Sequence, residues 1–116
     1  MRRTRVYVSG PITSSGNLLD NVHKAVQAGD VLLHSGFAPY VPHLNCLWEM
    51  ITGARSYELW LQLDIDFLDV CDVLLRLPGA SKGADREVER ACERGIPVYH
   101  SLDALIADFP AEREAA

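Results

Sequence analysis

Apolar and polar positions along the chain change period several times, and the changes mark out its elements. Val6 and Val8 alternate with Tyr7 before Ser9-Gly10-Pro11, which predicts a short strand followed by a turn. From Asn17 the apolar residues Leu18, Leu19, Val22, Ala25, Val26, Leu32 and Leu33 keep a helical spacing. Gly36 then stands where a helix C-terminus favours glycine. "FAPYVP" predicts a second strand, placed at a sheet edge because Pro39 cannot donate a ladder hydrogen bond. Leu44 to Ala54 reads as one helix or a looser excursion, and Ser56 to Val70 as a clearer helix. "DVLLRL" predicts a buried strand, "ADREVERACER" a helix stopped by Gly95, and "IPVYH" a further strand. "SLDALIADF" closes the series as a helix capped by Ser101.

Strands that alternate with helices predict a parallel sheet with right-handed crossovers. The expected fold is a small doubly wound α/β domain over residues 1–110, strand order 2-1-3-4, with helices on both faces. The Ala/Glu-rich residues 111–116 are expected to be a disordered tail. In such sheets ligands bind beyond the carboxyl ends of the strands, where the winding reverses. That position is the crevice between strands one and three, lined by "SGPITSSGN" and "LPGASKGA". Both loops are rich in Gly, Ser and Pro and can bring backbone N–H groups close to a ligand.

Two carboxylates stand out against this pattern. On the helix from Ser56, Asp64 falls at the centre of the stripe formed by Tyr57, Trp60, Leu61, Phe67, Leu68 and Cys71. On the later helix the expected buried set is Ala84, Val88, Ala91 and Cys92, and Glu87 lies roughly 85° from its centre. An unpaired ionised carboxylate in a core costs several kcal/mol. Asp64 must therefore find partners or face a polar cavity. Glu87 has a plain reading as a first-turn acid favoured by the helix dipole and a chemical one as a group pointed into the crevice.

Composition narrows the classes. The 116 residues carry a net charge of −5, which argues against a protein that grips a nucleic acid polymer through its phosphates. Small anions remain within reach of backbone amides and one local cation. Cys46, Cys71 and Cys92 are odd in number and unrelated in spacing, as expected of reduced thiols in a cytoplasmic protein. No apolar run approaches a signal peptide or a membrane span. His43 and Cys46 make only half of a metal motif, so neither metal nor cofactor is expected.

At these residues the chain resembles the nucleoside 2-deoxyribosyltransferase superfamily, which includes 2′-deoxynucleoside 5′-monophosphate N-glycosidases and small phage and bacterial relatives. The resemblance runs from Val6 to about Tyr99. It rests on "VYVSGPI", on D-x7-D from Asp64 to Asp72, on LPG-x-S-x-G-A-x-x-E-x3-A from Leu77 to Ala91, and on "GIPVY". It implies that Glu87 is the nucleophile, that Asp64 stands at the sugar and that Tyr7 orients the glutamate. Ser81 matches the serine that the monophosphate N-glycosidases use toward the 5′-phosphate. Those enzymes also carry a first-loop arginine, for which "GPITSSG" has no counterpart.

The chemistry fits such residues. A carboxylate poised against an anomeric carbon can form a glycosyl ester, and a second carboxylate can hold sugar hydroxyls or protonate the departing base. Ser9, Gly10, Pro11 and Ile12, with Ser81 and Gly83, would cradle a phosphate. His43 and Trp48 would roof the base. The expected activity is cleavage of the N-glycosidic bond of a (deoxy)nucleoside 5′-monophosphate or nucleoside. The alternatives are base exchange between nucleosides and a non-catalytic nucleotide-binding module. Because so short a chain gives a half-walled crevice, a homodimer or larger homo-oligomer is expected.

Overall fold

The computed structural model describes residues 2–13 and 17–109. The expected tail, 111–116, and part of the first loop, 14–16, lie outside the described residues.

Four strands, β1 (Arg5–Ser9), β2 (Ala38–Tyr40), β3 (Val73–Arg76) and β4 (Val98–Tyr99), form one parallel sheet in the order β2-β1-β3-β4. This is the expected order, with β2 paired to β1 at one edge of the sheet. The helices are α1 (Leu18–His34), α2 (Asn45–Thr52), α3 (Tyr57–Leu68), α4 (Lys82–Glu93) and α5 (Leu102–Asp108), with a 3-10 turn at Pro42–Leu44 leading into α2. Asn17, Ser56, Ser81 and Ser101 cap α1, α3, α4 and α5 by accepting a backbone N–H three residues on. Ser81 starts α4 two residues earlier than the apolar pattern alone suggested.

Strand periodicity divides the core into two layers. Val6, Val8, Val73 and Leu75 point to one face, where they pack with Ala25, Leu32, Phe37 and Leu105 beneath α1 and α5. Tyr7 and Leu74 point to the other face, against Leu68 of α3 and Ala91 of α4. On α1 the buried residues are Ala25, Ala28, Gly29 and Leu32, a narrower stripe than expected, and Leu19, Val26 and Leu33 are exposed. Small residues face the sheet here because the helix lies close to β2's exit.

Period two also decides what the sheet offers the α3/α4 layer. Tyr7 faces it, so Ser9, two residues on, faces it as well. Register sets Tyr7 beside Tyr40 of β2 and Leu74 of β3, and Ser9 beside Arg76. Two hydroxyl-bearing side chains thus point from β1 toward α4, at the end where the chain leaves the sheet.

Candidate active site

The α4 helix brings Glu87 over that end of β1. Its buried residues are Ala84, Glu87 and Ala91, at i, i+3 and i+7. Glu87 therefore occupies the centre of the buried face rather than its edge. The correction comes from Cys92, which is exposed, and Val88, which is only half-buried. The helix is turned toward Glu87 because the surface beneath it supplies hydroxyl groups. Tyr7 Oη donates to Glu87 Oε2 at 2.7 Å, and Ser9 Oγ donates to Oε1 at 2.7 Å. Both distances are in the charge-assisted range.

Burial pushes the Glu87 carboxyl above its ordinary range, while the two hydroxyls and the nearby Arg76 guanidinium oppose the shift. Tyr7 is pushed far above its own usual range by burial and by the charge of Glu87, so it remains a proton donor. A carboxylate clasped through both oxygens keeps one orientation without losing its lone pairs to a cation.

Asp64 is buried on α3, 7% exposed. Tyr40 Oη and Asn45 Nδ2 both donate to its Oδ1, each at 3.2 Å. Its Oδ2 has no protein partner among the described residues. Burial and then the charge of Glu87 raise this carboxyl to about 7, against the two hydrogen bonds that lower it. Tyr40 is itself held by stacking, on Phe67 at 4.7 Å between ring centroids and near Tyr7 at 5.5 Å. Burial thus raises both carboxyls, and two carboxyl groups that feel one another titrate as a pair.

Both acids line one cavity of about 800 Å³, within the size range of small-molecule sites. Gly10 and Ile12 line it from the first loop, and Ser81 and Gly83 from the start of α4. Gly10 is required by close approach: a Cβ there would stand 3.0 Å from Leu77 Cβ, where the two loops meet. Gly83 leaves room for the Tyr57 hydroxyl at the far end of the crevice. Tyr7 and Ser9 reach the crevice through Glu87, and Pro11 is buried behind it.

The two roof residues lie elsewhere. His43 is 1% exposed and packs behind the first loop, with neither ring nitrogen in a hydrogen bond of normal geometry. Burial lowers its pKa and outweighs the backbone of Pro11 and Gly10, which favours the charged ring. Trp48 is 53% exposed and meets Trp60 edge-on at 5.5 Å, outside the crevice lining; Trp60 is the indole that lines it.

Asn45, Glu49, Tyr57, Lys82 and Arg86 line the crevice without having been singled out from the sequence. Asn45 and Glu49 had a signal: they are a polar pair at i, i+4 in the otherwise apolar run "LNCLWEMI". Arg86 lies in the second turn of α4. It is exposed, and it stands at the rim of the crevice.

The parallel β2-β1-β3-β4 sheet, open at the ends of β1 and β3 under α3 and α4, gives the chain a nucleoside 2-deoxyribosyltransferase-like fold, which it shares with two solved structures among others. One is a conserved protein from Enterococcus faecalis V583, with TM-score 0.68 and 19% identity over 83% of this chain and 61% of that one. The other is the 2-deoxyribosyltransferase from the psychrotolerant bacterium Bacillus psychrosaccharolyticus, with TM-score 0.60 and 22% identity over 91% of this chain and 82% of that one. This chain thus spans about six tenths of the Enterococcus protein's length. No curated protein sequence matches it. In sequence, residues 4–101 match the domain of unknown function DUF7768, and the chain belongs to that family. Among the described residues no helix is long and apolar enough to cross a membrane.

Proposed function

We propose that the protein breaks the N-glycosidic bond of a nucleoside 5′-monophosphate or nucleoside, with Glu87 as the nucleophile. The observation that carries this reading is the double clasp on Glu87. A buried carboxylate fixed by two hydroxyls, at the mouth of a crevice shared with a second carboxyl, is built to meet a carbon centre. Ionised Glu87 attacks the anomeric carbon as the bond from that carbon to the base breaks. Asp64, protonated near neutral pH, gives its proton to the departing base nitrogen from the unpartnered Oδ2. The product is a glycosyl ester on Glu87, with Asp64 now ionised. Asp64 then takes a proton from water, whose oxygen attacks the anomeric carbon as the bond from that carbon to Glu87 breaks; Glu87 leaves as a carboxylate and Asp64 is protonated again.

If a second base takes the place of water, the same steps run as base exchange. The likeness to the 2-deoxyribosyltransferase favours keeping this second reading. At the other end, Ser81 Oγ caps α4 through Ala84 N–H and keeps its own proton to donate. With Lys82 and Arg86 on the rim, this helix end supplies the positive charge that the first loop lacks. We assign it to the 5′-phosphate.

Incubation with a panel of ribo- and deoxyribonucleotides, with and without a free acceptor base, tests the reading by chromatography. Free base without acceptor means hydrolysis, and exchanged base means transfer. Binding without either product would leave a nucleotide-binding module and overturn the catalytic reading. Copies of the chain are also proposed to associate, because Leu47, Met50 and Ile51 of α2 expose 56%, 81% and 76% of their surface beside the crevice. Light scattering after size exclusion should give at least twice the 12.9 kDa chain mass.

A further inference from the structure

Glu49 is a crevice-lining carboxylate that the chemistry above does not use. Its Oε2 accepts two hydrogen bonds, from the backbone N–H of Arg55 at 2.8 Å and from Trp60 Nε1 at 2.6 Å. Its Oε1 has no protein partner among the described residues. These two donors hold the side chain ionised, below its usual carboxylate range.

The placement is regular. Asn45 and Glu49 are one turn apart on α2, and their partners Asp64 and Trp60 are one turn apart on α3. The helices therefore face each other across two rungs. The second lies about 6 Å along α3 from the first, by the helical rise of four residues. The inner rung holds the proton donor for the glycosidic nitrogen. The outer rung falls about where the far edge of a nucleobase attached at that nitrogen would lie.

We infer that Glu49 reads the leaving base, and that its free Oε1 selects bases carrying an exocyclic amino group over their oxo counterparts. This rests on the reading of the crevice as a nucleotide site. Cytosine presents an amino donor at its edge. Uracil's one edge N–H lies between two carbonyl oxygens, which an ionised carboxylate repels. Trp60, fixed through its own N–H, supplies a flat wall beside the base.

A plainer role exists for Glu49: the bond to Arg55 N–H staples the turn between α2 and α3. Glu49→Gln separates the two, since an amide oxygen can still accept from Arg55 and Trp60 while its NH₂ now donates. Calorimetric titration at pH 7 with cytidine and uridine 5′-monophosphates, and with their 2′-deoxy forms, compares bases of equal size. The wild type should bind the cytosine member about tenfold more tightly, and Glu49→Gln should bring the pair within about threefold. Equal affinity in the wild type overturns the inference, and so does a preference that survives in Glu49→Gln. A cytosine preference without turnover supports the inference while removing the catalytic reading. No binding of any nucleotide overturns both.

Discussion

Asp64→Asn offers a test that needs no substrate. In the folded chain the Asp64 carboxyl sits at about 7, against an ordinary value of 3.8, chiefly through burial and then through the charge of Glu87. A raised acid pKa means the folded state binds the proton more tightly than the unfolded one. Its contribution to stability is thus fully present below about pH 4, declines as pH rises, and is gone above about 7. Each unit of displacement corresponds to about 1.36 kcal/mol, which sets a ceiling of about 4 kcal/mol. Water at the crevice mouth screens part of it, so a loss of about 2 kcal/mol between pH 4.5 and 8 is expected. Asparagine is neutral throughout, has nearly the same shape, and can still accept from Tyr40 and Asn45. The variant should therefore match the wild type near pH 4.5 and exceed it by about 2 kcal/mol at pH 8. For a chain of this size that is roughly 8 °C in Tm. Urea unfolding at half-unit pH steps, followed by circular dichroism, measures the difference. Acids whose pKa is lowered, such as Asp69 and Asp72, act in both proteins and cancel. A difference that stays constant within about 0.5 kcal/mol from pH 4.5 to 8 would refute the buried, proton-holding Asp64.

Glu87→Gln should lower kcat at least about a thousandfold on any nucleotide the wild type cleaves, with binding by calorimetry within about threefold and no loss of Tm. Retained turnover would remove Glu87 as nucleophile, and unfolding would make it a structural acid. Tyr7→Phe takes the donor from Glu87 Oε2, so the acid limb of the kcat/KM profile should move to higher pH and the plateau should drop roughly tenfold or more; an unmoved limb would deny Tyr7 its role on Glu87. The wild-type profile should fall on the alkaline side near pH 7, where Asp64 loses its proton, and Asp64→Asn should abolish that limb along with most of the rate.

The alternation of strands and helices was enough to place β1 and β3 side by side, and with them the crevice. The facing of Tyr7 and Ser9 toward one layer was also legible, because two residues along a strand admit only one geometry. The turn of α4 was not. Its stripe contains small residues and a cysteine, and whether Cys92 or Glu87 completes it depends on the hydroxyls of β1, far away in sequence. The α2–α3 wall was least legible. Leu47, Trp48, Met50 and Ile51 fall on one side of α2, yet all four are exposed, so its apolar stripe does not mark the face turned to the crevice. Its orientation comes from the pairing of Asn45 with Asp64 and of Glu49 with Trp60, contacts that only the folded chain creates. For the same reason Trp48 could not be told from Trp60 as the residue facing the crevice.

The two acids of the crevice belong to regions of different local stability. Glu87 is anchored to β1, in the middle of the sheet, whereas Asp64 is met from above by α2, a helix with no buried residue. Such a segment opens at a cost far below that of global unfolding. Backbone amides of α2 should then exchange with deuterium well before those of α4, and a ligand spanning the two rungs would slow that exchange without changing the sheet. The same division sets what mutation can vary. Substitutions on α2 can retune which molecule is held while Glu87 and its two hydroxyls stay in place, but a one-residue insertion in β1 ahead of Tyr7 would turn both hydroxyls to the opposite face and disarm every specificity the wall could acquire.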